Sequence, residues 1–484
     1  LDILLDDLEN HPHCPHGPAL LFVRKTLDKN QDEKFFACSG TRDQKICPFY
    51  VKYEDFVNKN FKEIVKRQKI KDKELSIKEI REVPEVDRIF CFTCHTFLTQ
   101  ENLKLHRSHK QYQGVLTNQL LNEPTKILPP LSLDTNNAQY FFTEQTVQCI
   151  GENLRKLKFT KVVCIGAPRL HEHLTQKLQM KSILLDIDQR FELFYEQTGE
   201  FLHYNIINNY FFNGENDLST FDRFLKEDSP DDQVCVFLDP PFACRTEPLA
   251  NTLRIIRNSY NRVNENFKIL PIIWIFPYFM ENYIKNEHSA LKMCDYHVNY
   301  TNHPVYNDNG LKSRKEGSPI RIFTNIPLSM FKLPQRDYKF CKQCERFVHK
   351  SNRHCSICGD CTSKNGATYN HCKKCYVCVK PSYKHCAKCG RCTQVEGHNC
   401  NAYGLFIRCW ICQRKGHSER NCNFWKTTDK IKYQIGRCLL CADKQHNVRN
   451  CPKREKILKE KSFMGNYTNK FNCKIDYEDD QNME

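Results

Sequence analysis

In Val234-Cys235-Val236-Phe237-Leu238-Asp239-Pro240-Pro241-Phe242, an unbroken apolar run meets a carboxylate, two prolines and an aromatic ring. Five consecutive apolar residues without alternation predict a strand covered on both faces, the kind found in a parallel sheet. Two prolines then forbid both ladder and helix. The resulting bend is expected to hold the Asp239 carboxylate, the carbonyls of Pro240 and Pro241 and the Phe242 ring in one small volume. Such a corner suits a flat base with an exocyclic amine, whose hydrogens the acceptors take while the ring stacks on its face.

Working outward, the chain alternates strand-like and helix-like stretches from 136 to 333. This predicts an α/β, Rossmann-like doubly wound domain. Thr160-Lys161-Val162-Val163-Cys164-Ile165-Gly166 reads as a first strand ending in glycine, and Ala167-Pro168-Arg169 as the entry to a helix. Ser182-Ile183-Leu184-Leu185-Asp186-Ile187-Asp188 reads as a second strand ending in acid. The glycine lets backbone approach a nucleotide, and the acid bonds ribose hydroxyls. Leu270 to Phe276 and Ile320 to Asn325 supply further strands, with Cys294 to Tyr300 as an adjacent run. Gly166, Asp186 and Asp239 are all expected at the carboxyl edge of the sheet, where such folds bind ligands.

The Asp-Pro-Pro-Phe corner resembles the catalytic loop of amino-methyltransferases that use S-adenosylmethionine. That resemblance implies catalytic roles for Asp239, Pro240, Pro241 and Phe242. Gln139-Tyr140-Phe141-Phe142 is similar to the segment that closes over the cofactor in those enzymes. The loop 205–212, with Asn205, Asn209 and Tyr210, is expected to meet the adenine end. Cofactor contacts are accordingly assigned to these residues and to Gly166, Arg169, Asp186 and Asp188. In both aromatic segments the competing reading is ordinary core packing.

Composition limits what surrounds this domain. At 484 residues and 40% hydrophobic, the chain has room for several domains and at least one sizeable core. No run approaches 18 apolar residues, so neither a membrane span nor a signal peptide is expected. Most of the 29 cysteines recur as Cys-x-x-Cys with histidines at short offsets, the spacing of zinc ligands, which points to a reducing compartment. Residues 341 to 462 carry 26 lysines and arginines against 8 acidic residues. That excess, offset only in part by zinc-bound thiolates, is the footprint of a nucleic-acid partner.

Before the α/β domain stand two small modules. Cys14, His16, Cys38 and Cys47 fit one tetrahedral site in residues 10–54, which resemble a GRF-type zinc finger, a module associated with single-stranded nucleic acid. Phe35, Phe36, Phe49 and Tyr50 either stack bases or fill the finger's core. Residues 55 to 82 read as a lysine-rich spacer helix. Residues 87–112 follow as a two-cysteine two-histidine finger with Cys91, Cys94, His106 and His109, both imidazoles on one helical face and His95 a decoy. The stretch 110 to 135 reads as a linker that lets the fingers pack on the following domain or swing over it.

After the domain, residues 340–403 hold three copies of His-Cys-x-x-Cys-x-x-Cys. Their ligands are His354, Cys355, Cys358 and Cys361; His371, Cys372, Cys375 and Cys378; and His385, Cys386, Cys389 and Cys392. Cys341, Cys344, His398 and Cys400 complete four sites, with interleaved pairing expected and the partners left open. The array is similar to the cysteine-rich part of DHHC palmitoyltransferases, but Gly397-His398-Asn399-Cys400 stands where their reactive tetrapeptide would be, so a structural scaffold is expected. In residues 407–453, Cys409, Cys412, His417 and Cys422, then Cys438, Cys441, His446 and Cys451, match the CCHC zinc knuckle, with Trp410 as the base-stacking candidate in the first. Residues 454–484 form a basic, then acidic tail.

The order of these parts resembles the CCHC-type zinc-finger ribosomal RNA adenine-N6 methyltransferases of animals, from Cys14 to about Cys451. The resemblance implies N6-methylation of one adenosine in large-subunit ribosomal RNA, with S-adenosylmethionine as cofactor and about eight zinc ions. It further implies contact with ribosomal and possibly other structured RNA, a monomer, and a place in the nucleus and nucleolus as well as the cytoplasm. The second knuckle departs from the family pattern. The alternative is a non-catalytic, zinc-dependent RNA-binding protein that uses an inert methyltransferase-like domain as a platform.

Overall fold

In the computed structural model the described residues are 2–24, 33–41, 44–59, 75–131, 139–265, 268–303, 318–375, 377–387, 391–394 and 452. They divide into two compact units, Leu1–His349 and Lys350–Glu484. The knuckles of 407–453 apart from residue 452, the ligands Cys389, His398 and Cys400, and the whole tail 454–484 lie outside the described residues.

The first unit is built on strands β1 (Lys161–Ile165), β2 (Lys181–Asp186), β3 (Phe201–Asn205), β4 (Val234–Leu238), β5 (Ile272–Pro277), β6 (Lys292–Cys294) and β7 (Ile320–Thr324). Their order is β3-β2-β1-β4-β5-β7-β6, and the short strand Tyr210–Phe211 adds an edge beside β3. β1 to β5 run parallel, while β7 pairs antiparallel with both β5 and β6. The order reverses between β1 and β4. That makes the gap beyond their carboxyl ends the switch point where ligands bind.

Alternation along the strands fills two cores. Val162, Cys164, Cys235, Phe237, Ile273 and Ile275 pack with Val147, Ile150 and Leu154 of α1 (Glu144–Lys156) and with Leu170 and Leu174 of α2 (Pro168–Gln176). On the opposite face Val163, Ile165, Val236, Leu238, Ile272 and Trp274 meet Phe221 and Leu225 of α3 (Glu215–Leu225) and Leu249, Leu253 and Ile256 of α4 (Thr246–Asn264). Each residue of β1, β4, β5 and β7 is buried on one side or the other, which is why these strands lack a polar alternation.

The first finger is a four-stranded antiparallel sheet in the order Asp2–Leu4, Leu20–Arg24, Glu33–Ala37 and Tyr50–Lys52, larger than its spacing suggested. Phe36 and Phe49 are buried in its core with Leu21 and Val51, so of the four aromatics considered for bases these two are structural. Phe35 faces the other way, stacked between Phe22 and Tyr50.

The connecting chain packs on the domain. In the described helix Ile77–Glu82 of the spacer, Ile77 and Ile80 are buried while Lys78 and Glu79 keep the other face in solvent. Of the two roles expected of the linker, packing is the one found. Leu116, Leu121, Ile127 and Leu128 share the core of α1 and α2 with Phe90 and Phe97 of the second finger, and Glu172 of α2 accepts the Thr125 amide at 2.7 Å and its hydroxyl at 2.5 Å. Phe90 and Phe97 also pack on Phe194. Among the described residues no helix is long and apolar enough to cross a membrane.

Candidate active site and metal centres

Asp239 leaves β4 with its amide bonded to the Ile165 carbonyl at 3.0 Å, which ties the ends of β4 and β1 together at the switch point. Gly166 turns away from β1 with φ +66°, and a Cβ there would stand 2.8 Å from the Asp239 carbonyl oxygen. Only glycine fits both the left-handed backbone and this close approach. Pro240 is buried and Pro241 exposed, and the Cys244 amide closes the bend on the Pro241 carbonyl at 3.0 Å. The half-buried Phe242 ring lies edge-on to Phe276 and Tyr300, with centroids 6.0 Å away in each case.

The Tyr300 hydroxyl donates to Asp239 Oδ1 at 2.8 Å. Burial pushes the Asp239 carboxyl well above the usual carboxylate range, the Tyr300 hydrogen bond pulls it back, and the Asp186 charge raises it further. Asp186, at the end of β2, is pushed up to about 7 by burial first and by the Asp188 charge second. Its Oδ1 accepts the Asp188 amide at 2.9 Å. Asp188 is occupied differently: Arg190 grips its carboxylate at 2.8 and 2.7 Å, and Gln139 Nε2 reaches it at 3.3 Å.

The 139–142 segment is held from two sides. Gln139 exchanges hydrogen bonds with Leu131, while Asn302 bonds the Gln139 carbonyl at 2.7 Å and the Phe141 amide at 2.8 Å. Phe142 stacks on Tyr300 with centroids 5.0 Å apart, and Tyr140 rests on His303 at 4.3 Å. Arg169 reaches Glu144 at 4.0 Å and the Thr301 hydroxyl at 3.5 Å.

A turn with positive φ at the switch point and a buried acid at the end of the next strand fit the donor set that an adenosine cofactor requires. A family model described as "Probable N6-adenine methyltransferase" matches residues 133–326. A human relative named rRNA N(6)-adenosine-methyltransferase ZCCHC4 is 39% identical over 440 residues, covering 86% of this chain and 83% of its own length. The Xenopus laevis protein of the same name is 39% identical over 432 residues, covering 86% of each chain. The chain belongs to the rRNA N6-adenosine-methyltransferase family. The alternative of an inert platform finds no support, because the relatives that share most of the chain are named methyltransferases and the family model that matches is a methyltransferase domain.

Four groups of cysteine and histidine lie wholly inside one unit or the other: Cys14, His16, Cys38 and Cys47; Cys91, Cys94, His106 and His109; Cys355, Cys358, His371 and Cys378; Cys372, Cys375, His385 and Cys392. Tetrahedral zinc with thiolate and imidazole ligands demands edges of about 3.3 to 3.8 Å. Cys14 Sγ and Cys38 Sγ stand 3.7 Å apart, and Cys38 Sγ and His16 Nδ1 3.3 Å. Cys94 Sγ lies 3.5 Å from His106 Nδ1, Cys358 Sγ 3.8 Å from Cys378 Sγ, and Cys392 Sγ 3.6 Å from Cys375 Sγ. These sets fit zinc, and the thiols of neighbouring ligands are too far apart for disulfides. The array is interleaved: adjacent His371 and Cys372 serve different groups, as do Cys375 and Cys378.

In the second finger His106 ends a 3-10 helix, Asn102–His106, rather than an α-helix, and His109 follows it. A three-residue turn still sets i and i+3 on one side. His95 stays outside the group, with φ +55° and its buried Nδ1 unpartnered. Cys341 and Cys344 stand at the turn of the hairpin Tyr338–Cys341 with Arg346–His349, while His354, Cys361 and Cys386 lie in the second unit.

The 205–212 loop meets a protein surface. Asn205 Nδ2 and Asn208 Nδ2 both bond the His16 carbonyl and the Ser39 hydroxyl of the first finger, at 2.8 to 3.1 Å. Asn208 also reaches the Pro18 carbonyl at 2.8 Å. Tyr210 packs on the space a Gly17 Cβ would fill, and Asn209 accepts the Tyr204 hydroxyl at 2.7 Å. Sequence reasoning missed Tyr300, Arg190 and Asn208. Arg190 carried a weak signal, a cation two residues after Asp188; Tyr300 carried none, since the acceptor of its hydroxyl, Asp239, lies 61 residues away.

Proposed function

We propose that the protein transfers a methyl group from S-adenosylmethionine to N6 of one adenosine in large-subunit ribosomal RNA. Zinc-pinned modules on either side of the domain select the transcript. The observation that carries this reading is the junction of Gly166 and Asp239 at the switch point, where a base-binding corner and a nucleotide-binding turn share one backbone contact. When bound, the cofactor supplies an activated methyl carbon, so the protein has to position rather than activate. Asp186 takes the ribose hydroxyls, and the backbone at Gly166 lets the cofactor lie close to Asp239.

The target base is unpaired or flipped out to enter. Asp239 and the Pro240 carbonyl accept the two amine hydrogens, Phe242 stacks on the ring, and the lone pair on N6 is turned toward the methyl carbon. The N–C bond would form as the methyl carbon's bond to the sulfonium sulfur breaks, that electron pair leaving with the neutral thioether S-adenosylhomocysteine, and the amine would shed one proton toward Asp239 or water, leaving a neutral N6-methyladenine. Pro241 holds the corner stiff. Asn205 and Tyr210 shape the wall of the cofactor end through their contacts with the first finger, Asn209 holds that loop through the Tyr204 hydroxyl, and Gln139 to Phe142 with Arg169 close the opposite side.

The test is methyl transfer with radiolabelled cofactor to ribosomal RNA, to total RNA freed of it, and to genomic DNA. Asp239→Ala should lower transfer at least 10²- to 10³-fold, on the order expected when a group that binds the reacting centre is removed, while the melting temperature stays close to that of the parent. Mass-spectrometric mapping of ribosomal RNA from cells lacking the protein should then show the loss of one methylated adenosine in the large subunit. A full complement of modified adenosines there would refute the substrate assignment.

A further inference from the structure

We propose that Tyr300 is a positioning residue for the reaction: its hydroxyl pins Oδ1 of Asp239 so that the other carboxylate oxygen is presented to the adenine amine. This inference rests on the reading of Asp239 given above and adds the group that aims it.

The Tyr300 ring is wholly buried, and its hydroxyl reaches Asp239 at 2.8 Å. Three constraints set the ring's direction. Backbone pairing joins residues 299–301 to 141–143, through Thr143 N to the Asn299 carbonyl at 3.0 Å and Thr301 N to the Phe141 carbonyl at 2.8 Å. Phe142 lies against one ring face, nearly parallel at 28°. Phe242 and Tyr140 meet it edge-on, with centroids 6.0 Å away. A ring held this way has little rotamer freedom, so its hydroxyl acts as a fixed donor.

A free carboxylate next to Pro240 would rotate about its terminal torsion, which is broad and two-fold. With Oδ1 engaged, a single orientation remains, and one oxygen is left for an amine hydrogen. Donation also favours the ionised acceptor in a buried setting. The other titratable group that reaches Asp239 is Asp186, from the end of β2, which opposes its ionisation. The turn Gly166-Ala167-Pro168 brings no charge, and the titratable rings beside Tyr300 are Tyr140, at 6.0 Å, and His303, at 6.4 Å.

Tyr300→Phe removes the donor and keeps the packing. We expect kcat to fall roughly ten- to a hundredfold, as for the loss of one hydrogen bond to a charged group. S-adenosylmethionine affinity by titration calorimetry should be unchanged, and the acid limb of the kcat profile should move to higher pH because Asp239 loses the donor that favours its anion. Replacing Tyr300 with a fluorinated tyrosine, a stronger donor of the same shape, should move that limb to lower pH; this arm decides the matter if Tyr300→Phe proves poorly folded. Unchanged kcat and an unmoved acid limb in both variants, with Asp239→Ala inactive, would overturn the positioning role while leaving the base-binding corner intact. Transfer retained by Asp239→Ala would overturn both.

Discussion

The sheet domain and the array of 350–394 are held together by opposite means. Around β1 and β4 every side chain from Val162 to Ile165 and from Val234 to Leu238 is buried, in two apolar layers. In the array Cys361 is the one hydrophobic-class side chain buried among the described residues. What else is buried there is polar: Asn352, Ser363, Asn365 and Thr393, with the Asn352 amide bonded to the Ser363 carbonyl at 3.0 Å. A segment this short cannot exclude enough water to fold by burial, and its grouped cysteines and histidines could hold metal ions in place of a core. The two N-terminal fingers stand between these extremes, since each has ligands of its own and also an apolar or polar seam against the sheet domain.

Stripping zinc with a chelator is the strongest way to break that contrast. Hydrogen exchange should show protection lost throughout 355–392 while β1 and β4 stay protected; equal loss in both would mean the sheet depends on metal as well. Next in size is Gly166→Ala. Left-handed backbone costs a side chain about 1–2 kcal/mol, and its Cβ would push on the Asp239 carbonyl, so cofactor binding by calorimetry should be abolished with the fold retained. A variant that binds normally would show that β1 and β4 need not touch.

The array can be probed within itself. His371→Ala should empty its own site and, through the peptide bond to Cys372, weaken the next one, so metal content by mass spectrometry should fall by more than one zinc. A loss of one would mean the interleaved sites are independent. Cofactor affinity tests the buried acid at the end of β2. Asp186, pushed up to about 7, is protonated below that value. If the ribose hydroxyls take its anion, binding should weaken about fivefold between pH 7 and 6. The same raised value means protonation stabilises the fold: that contribution is full below about pH 4 and is lost as pH rises through 7. Asp186→Asn should bind with a pH-flat affinity, and a flat profile in the parent would remove Asp186 from the ribose. The smallest effect is Asn208→Ala, which leaves the Pro18 and His16 carbonyls short of a donor at the finger's seam. It should cost about 1–3 kcal/mol of thermal stability without changing zinc content.

Much of this was legible in the chain. Strand ends are read locally, because an apolar run closed by glycine, acid or proline has few other solutions, and this located Gly166, Asp186 and Asp239. Ligand types were equally plain from Cys-x-x-Cys spacing. The residues in 205–212 were read as cofactor contacts from their place after β3, yet their amides face the first finger. Nothing local distinguishes an asparagine that meets a ligand from one that meets a neighbouring carbonyl. Phe36 and Phe49 show the same ambiguity, since an aromatic residue in a short strand suits a core and a base equally well.

The chain by itself determined which segments are strands, which residues are of ligand type and which strand ends carry glycine, acid or proline, because these follow from dihedral limits, donor types and spacings of a few residues. Tertiary structure decided which cysteines and histidines come together in one group, which finger meets which loop, and that a tyrosine 61 residues beyond Asp239 donates to its carboxylate. Those partnerships depend on packing between segments distant in sequence, where many pairings satisfy the same local rules and only the global arrangement selects one.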